Sequence, residues 1–155
     1  MPTICGFQKY QRLFERVRFW EQFLDFLQYA ETAIRYTAIP AEELLRYHAK
    51  ETRFVLIRRS SHLCALGNAF PEAWQEAVKS VARDLPLRSE ETSLLLRFGD
   101  GFGTTDTEGQ RAHFAYYRER AEEKQQVAQE EKHRKGRLSL LLGVLAGLGL
   151  DVLFL

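Results

Sequence analysis

The chain contains few cysteines, and its positive and negative charges nearly cancel. Each of these two properties excludes certain classes of protein. Its two cysteines, Cys5 and Cys64, form no C-x-x-C pair, which excludes a disulfide framework and a cysteine-built zinc site. Cys64 lies in an apolar run, so we expect an inert buried thiol there rather than a nucleophile. The 22 Lys and Arg residues nearly balance the 21 Asp and Glu residues, and this balance indicates no nucleic-acid partner.

The first residues of the sequence are not expected to act as an apolar leader. Residues 1–7 are too short for the hydrophobic region of a signal peptide, and polar residues such as Gln8 and Lys9 follow at once. We therefore expect no export signal. The length suits a single domain with one hydrophobic core.

Hydrophobic side chains recur at helical spacing along most of the chain. The first helix is predicted over about residues 8–36, on a face whose members stand three or four residues apart: Leu13, Val17, Trp20, Leu24, Leu27 and Ile34. Further phenylalanines widen this face and indicate burial on more than one side: Phe14, Phe19, Phe23 and Phe26. Helices are also expected over 40–50, 53–66, 71–85 and 89–99. The run FVLI at 54–57 alone would also suit a strand, but no longer strand pattern competes. We predict an all-α fold, a compact bundle of about five or six helices with a long last helix that continues into a membrane anchor.

A glycine-rich stretch separates the fifth helix from this last one. Residues 99–103 read GDGFG, which resembles a phosphate-binding loop, but a helical pattern precedes it and no lysine follows in the required place. We expect instead that Gly99 or Gly101 ends a helix in a left-handed turn. Thr105 and Glu108 have the spacing of a capping box for the next helix. Within that helix, Glu130–Arg134 and Glu131–Lys135 are predicted ion pairs.

The one long hydrophobic run lies at the C-terminal end. Residues 138–155 contain nine leucines and a single ionisable side chain, Asp151. As a helix, these 18 residues would extend for about 27 Å, close to the thickness of a bilayer's hydrocarbon core. The run is apolar on every side, and the domain is too small to surround it as a core helix. We predict two units, a soluble helical domain at 1–137 and a C-terminal transmembrane segment at 138–155.

The residues around this run predict its orientation and its contacts. The basic cluster that precedes it indicates a cytoplasmic soluble domain and contact with lipid headgroups: Lys132, Arg134, Lys135 and Arg137. Asp151 is expected near the far interface, with a contact to another membrane helix as the alternative. Gly143 and Gly147 form a G-x-x-x-G pair that permits close helix packing in the membrane. The sequence leaves two alternatives: this segment packs against a second copy of the chain in a homo-oligomer, or it acts as a plain membrane anchor.

Catalytic residues are not recognisable in the sequence. The four histidines form no H-E-x-x-H motif or other close ligand pair. His48 and Glu51 stand three residues apart and could build half of a metal site, so a small metal-dependent enzyme using His48, Glu51 and His62 is one alternative. Our prediction is a protein without catalytic, metal or cofactor sites and without a small-molecule substrate.

Three stretches together resemble one protein family. They are LQYAETAIRY at 27–36 with Ile39 and Pro40 after it, FGDGFGTTD at 98–106 with Gln110, and LGVLAGL at 142–148 after the basic cluster. In order and spacing the chain is similar to the stage III sporulation protein AB family over roughly residues 9–155. Members usually begin with a membrane segment of their own, whereas only residues 1–7 precede the first soluble helix here.

The resemblance implies a function. Such proteins belong to a channel-like complex of the mother cell, in the membrane around the forespore. Their soluble domain looks like the cytoplasmic helical domains of the platform proteins of type II secretion and type IV pilus systems. By this fold-level analogy the chain would be a scaffold that couples a cytoplasmic ATPase to other proteins of the complex in the membrane. A generic tail-anchored adaptor outside sporulation is the second alternative.

Overall fold

The computed structural model describes residues 2–104 and 106–153, and every regular element in these ranges is an α-helix. The helices are α1 (Pro2–Tyr36), α2 (Ala41–Glu51), α3 (Val55–Ala65), α4 (Phe70–Asp84), α5 (Ser89–Gly101) and α6 (Thr107–Leu153). The predicted all-α bundle is confirmed. The first helix begins at Pro2, earlier than the hydrophobic spacing indicated.

Proline and glycine mark several helix ends. Pro40 comes directly before α2, and Pro71 lies in the first turn of α4, where a missing backbone N–H costs nothing. After α3, Gly67 adopts a φ of 102°, which is the left-handed conformation expected of a residue that follows a helix. The stretch 53–66, whose hydrophobic run also suited a strand, is helical as predicted.

Helices α1 and α6 form the central antiparallel pair. Arg118 of α6 bonds Glu31 of α1 at 2.6 Å, while Glu131 of α6 bonds Arg16 of α1 at 2.8 Å. Residue numbers therefore rise along one helix as they fall along the other. Helices α2 to α5 pack in succession, α2 on α3, α3 on α4 and α4 on α5.

Aromatic side chains fill the core between these helices. The largest fully buried side chains include Trp20, Trp74, Phe23, Phe26, Phe98 and Phe114. The prediction that the first helix is buried on more than one side holds for Phe19, Phe23 and Phe26, but not for Phe14, which is 50% exposed. Phe14 lies on the side of α1 that also carries the exposed Glu21 and Asp25, so its ring faces away from the core.

The glycine stretch folds differently from the prediction. Helix α5 continues through Gly99 to Gly101, and it is Gly103 that adopts a left-handed φ of 79°. Gly99 is needed for packing, since a Cβ added there would overlap the indole ring of Trp74. A Cβ at Gly101 would meet the His113 ring. Thr105 lies outside the described residues, and so the Thr105–Glu108 capping box stays a prediction.

Candidate membrane segment and the ion pairs that hold its helix

Helix α6 passes from the core into solvent without a break. A thin apolar stripe of α6 is buried in the bundle, and it consists of Phe114, Tyr117, Ala121 and Ala128. By contrast, every residue of 138–153, which we call the apolar segment, is exposed. Leu140 is 71% exposed and Leu145 64%. An isolated leucine at a protein surface is ordinary, but a whole exposed helix of them is not.

The length and composition of α6 are sufficient for a membrane span. It is the one helix in the described part of the chain that is long and apolar enough to cross a bilayer, and none of its apolar window is buried in the protein. A core helix would pass the same composition test, but it would be covered by other helices. The exposure of the apolar segment therefore contradicts the core-helix alternative.

A buried ion-pair cluster joins α1, α5 and α6 shortly before the apolar segment. The Arg16 Nε–H donates to Glu91 Oε1 at 2.9 Å, and an Arg16 NH1 hydrogen donates to Glu131 Oε2 at 2.8 Å. The Trp20 indole N–H also donates to Glu91. The Arg16 side chain is 4% exposed and that of Glu91 is 1% exposed. Such pairs resist disruption, because removing one partner leaves the other charge buried and unpaired.

Arg88, at the start of α5, completes the cluster. Its backbone N–H donates to Glu91 Oε1 at 3.0 Å, and its guanidinium bonds Glu131. Partial burial raises the pKa of Glu131, but the hydrogen bonds and charges of Arg88 and Arg16 outweigh it, so the pKa lies below the ordinary value. Through Glu131, the cluster ties α6 to both α1 and α5 about two helical turns before the apolar segment begins.

The sequence patterns did not reveal this cluster. Glu131 was predicted to pair with Lys135 along one helix face, yet its partners are Arg16 and Arg88. A signal was present, because Arg16 lies between Leu13 and Trp20 on the predicted buried face. A charged residue on such a face needs a partner of opposite charge. Sequence spacing alone could not identify Glu91 as the partner of Arg16, because the two residues are 75 positions apart along the chain.

Gly143 and Gly147 lie four residues apart within the apolar segment. A Cβ added at either position would have no heavy atom within 4 Å. The face they share is therefore open in the single chain. Small residues spaced this way allow two helix backbones to approach closely, but the single chain does not test whether a second helix packs there.

The residues of the metal-enzyme alternative do not form a site. Within residues 2–104 and 106–153, no three His, Cys, Asp or Glu side chains are grouped so that they could hold a metal ion. His48 packs its ring against Tyr29, with 4.4 Å between ring centroids, and its pKa is lowered by burial despite the nearby charges of Glu51 and Asp25. His62 is exposed on α3. His48, Glu51 and His62 are therefore not brought together as the ligand set that this alternative requires.

The first two stretches that resemble the sporulation family meet at the opposite end of the bundle. The Gly103 N–H donates to Gln110 Oε1 at 3.2 Å, and the Gln110 Nε2 donates to the Gly101 carbonyl at 3.1 Å. A cleft of about 200 Å³ lies beside this turn, with lining residues that include Ile39, Pro40, Leu44, Phe102 and Asp106. Its lining is mixed polar and apolar, and it brings together no set of catalytic groups.

Over residues 2–104 and 106–153, the fold and the apolar segment define an all-helical protein with one helix suited to crossing a membrane. A family model for stage III sporulation protein AB matches residues 2–155. The chain belongs to the stage III sporulation protein AB family, as the resemblance predicted.

Two relatives describe the match. Stage III sporulation protein AB of Bacillus subtilis (strain 168) is 26% identical over 157 aligned positions, which cover 99% of this chain and 92% of that protein. A solved structure of stage III sporulation protein AB matches with a TM-score of 0.66 at 25% identity, covering 77% of this chain and 98% of that one. The chain is thus a sporulation protein by family.

Proposed function

We propose that this protein is a non-enzymatic, membrane-anchored scaffold of the mother-cell sporulation complex. The observation that carries the proposal is the unbroken α6, which leaves a well-packed core and continues as an exposed apolar segment. Exposed apolar surface of this extent is stable only when lipid or another protein covers it. The soluble domain comprises residues 1–137, and residues 138–155 cross the bilayer.

The soluble domain lies in the cytoplasm under this proposal. Lys132, Arg134, Lys135 and Arg137 precede the apolar segment, and positive charge is retained on the cytoplasmic side of membrane helices. Asp151 then lies near the opposite interface, where an ionised carboxylate remains hydrated at low cost. The Gly143 and Gly147 face packs against a second membrane helix, from another copy of the chain or from another protein of the complex.

The domain couples a cytoplasmic ATPase of the complex to the membrane. Family membership supports a place in the sporulation complex, and the fold-level resemblance to secretion platform domains supports the ATPase as partner. A rigid connection is needed for force or position to be transmitted. The Arg16–Glu91–Glu131 ion pairs supply one between the bundle and the apolar segment.

Fractionation of sporulating cells tests the anchor. Membranes from cells that express the chain with a tag at each end are washed with high salt and alkaline carbonate, and inverted vesicles are treated with protease. We expect the protein to stay in the membrane and its helical domain to be digested from the cytoplasmic side. Release into the soluble fraction would contradict the anchor.

Partner capture separates the sporulation scaffold from a generic tail-anchored adaptor. After cross-linking in sporulating cells, the purified full chain is analysed for the ATPase of the complex, with a variant lacking residues 138–155 as the matched control. We expect the ATPase with the full chain. Recovery of membrane proteins without any ATPase would favour the adaptor.

A further inference from the structure

The first turns of α1 expose three aromatic side chains, Phe7, Tyr10 and Phe14, which we call the aromatic stripe. They are 63%, 43% and 50% exposed. Their spacing of three and four residues places them on one side of α1, and this side faces away from the bundle core. Contiguous exposed apolar surface marks a contact with lipid or with another protein. The stripe therefore indicates a contact outside the bundle.

Contacts between α1 and α6 set the level of the stripe relative to the apolar segment. Arg16 bonds Glu131 at 2.8 Å, and the Lys132 ammonium lies 4.6 Å from the centre of the Phe14 ring. The two helices run in opposite directions and advance about 1.5 Å per residue. The apolar segment begins seven residues after Glu131, which is level with a point about seven residues before Arg16 on α1. The stripe therefore spans the level at which the apolar segment begins.

Both helices change from charged to uncharged at this level. On α6, residues 132–137 include four basic side chains, whereas residues 138–150 contain no charged side chain. On α1, residues 8–12 include two basic side chains, whereas residues 2–7 contain no charged side chain. Residues 5–12 are all exposed, so the bundle does not explain this change on α1. A membrane surface imposes such a boundary on every helix that reaches it, because charged groups stay hydrated and uncharged ones do not need to.

We propose that the first turns of α1 enter the cytoplasmic interface of the bilayer beside the apolar segment. Tyr10 lies at the headgroup level, where aromatic side chains are enriched, and Lys9 and Arg12 extend toward the lipid phosphates. Phe7 reaches the boundary of the acyl chains, as the apolar side of an interfacial helix does. Basic, aromatic and uncharged residues thus follow one another in the order of their depth in a bilayer, which favours lipid over a protein as the contact.

This inference rests on the proposed membrane anchor and adds a second, shallow membrane contact that comes from α1. A single membrane helix leaves the soluble domain free to rotate about it. A second contact on the neighbouring helix fixes which side of the bundle lies toward the membrane.

The depth of α1 is measured on the full chain in vesicles of phosphatidylcholine and phosphatidylglycerol. Three separate variants, Phe7→Trp, Leu145→Trp and Tyr36→Trp, serve as reporters of quenching by lipids brominated at a shallow or a deep position of the acyl chain. The native Trp20 and Trp74 are fully buried, so the unmodified chain gives the background. Tyr36 is the matched control, because it is a 77% exposed aromatic residue at the other end of α1.

The reporters distinguish the α1 contact from the anchor itself. We expect shallow bromines to quench Phe7→Trp at least twofold more than deep ones, deep bromines to quench Leu145→Trp, and neither to quench Tyr36→Trp. Quenching of Leu145→Trp without quenching of Phe7→Trp overturns the α1 contact and leaves the anchor intact. Absence of quenching in both overturns the two together. A Phe7→Trp emission that is shifted to the blue but not quenched would mean that a second copy of the chain covers the stripe, and this also overturns the lipid contact.

A charge placed in the stripe tests whether insertion depends on it. With Tyr10→Trp as reporter, Phe7→Asp should reduce quenching by shallow bromines at least twofold, because an ionised carboxylate resists entry into the acyl boundary. Tyr36→Asp adds the same charge at the distant end of α1 and should leave the quenching unchanged. Both substituted side chains are exposed, so far-ultraviolet circular dichroism should report an intact bundle in each. Equal quenching in the two charged variants would overturn the proposal.

Discussion

Helix α6 contains two regions with the same secondary structure and opposite environments. In residues 107–132 a thin apolar stripe is buried and the other faces are polar, whereas residues 138–153 are apolar on nearly every side and wholly exposed. The first region is stabilised by packing against α1 and α5. The second satisfies its backbone hydrogen bonds within the helix, and no other part of the described chain covers its side chains. A helix is thus compatible with either solvent, and the distribution of apolar side chains decides which one it suits.

The largest expected effect comes from placing charge in the exposed region. Leu145→Arg with Leu148→Arg should release the protein from carbonate-washed membranes, because each arginine near the centre of a bilayer costs about 3 kcal/mol. Leu66→Arg is the matched control, since Leu66 is a 67% exposed leucine of the soluble domain. If both variants remain in the membrane, the apolar segment tolerates charge as well as the soluble domain does, and the proposed membrane span is wrong.

The next effect concerns the ion pairs that hold the buried region. Arg16→Ala should lower the free energy of unfolding by about 3–5 kcal/mol, because Glu91 would be left buried without its charge partner. The measurement is denaturant unfolding of the full chain in detergent micelles, followed by tryptophan fluorescence. Arg46→Ala, which removes a pair at the surface with Glu43, should change little. The double variant Arg16→Met, Glu91→Leu has no unpaired charge. If it recovers most of the lost stability, the loss in Arg16→Ala is caused by the unpaired Glu91.

Alanine substitutions at two glycines compare a packed position with an open one. Gly99→Ala should destabilise the protein by about 1–3 kcal/mol, because the added methyl group must displace the Trp74 ring. Gly136→Ala, in α6 with open space around it, should be neutral or stabilise by up to about 1 kcal/mol through helix propensity. The same unfolding measurement compares them, and similar losses at both positions would contradict the close approach at Gly99.

The smallest expected effect is the pH dependence from Glu131. Its pKa is lower in the folded protein than its ordinary value of 4.5, so the unfolded chain binds the proton more readily. This contribution to stability is complete above pH 4.5 and is lost as the pH falls through the lower folded-state value. Glu131→Gln should reduce the fall in unfolding free energy over that acidic range. An unchanged pH profile would show that Arg88 and Arg16 do not stabilise the ionised carboxylate.

Much of the fold was predictable because local patterns dominate in this chain. The helices over 40–50 and 71–85 have clear spacing and proline boundaries, and they fold almost where predicted. The glycine stretch was less predictable. Helix-ending glycines are usually left-handed, but at Gly99 the requirement is the space taken by Trp74, a residue of another helix. Phe14 was expected to widen the buried face of α1, yet it lies on the opposite side from Phe23, where Glu21 and Asp25 are exposed as well.

The sequence by itself determined the all-helical class, most helix positions and the apolar segment, since each follows from spacing or composition within a short stretch. Its resemblance to the sporulation family rested instead on three separate stretches taken together. The tertiary structure decided which charges meet. Arg16, Glu91 and Glu131 are distant in the chain and are brought together only when α1, α5 and α6 pack. It also decided that the first turns of α1 stand level with the start of the apolar segment, since Arg16 and Phe14 contact Glu131 and Lys132. Both depend on the antiparallel register of α1 and α6, which is set by side-chain packing between helices and is not encoded in either helix alone.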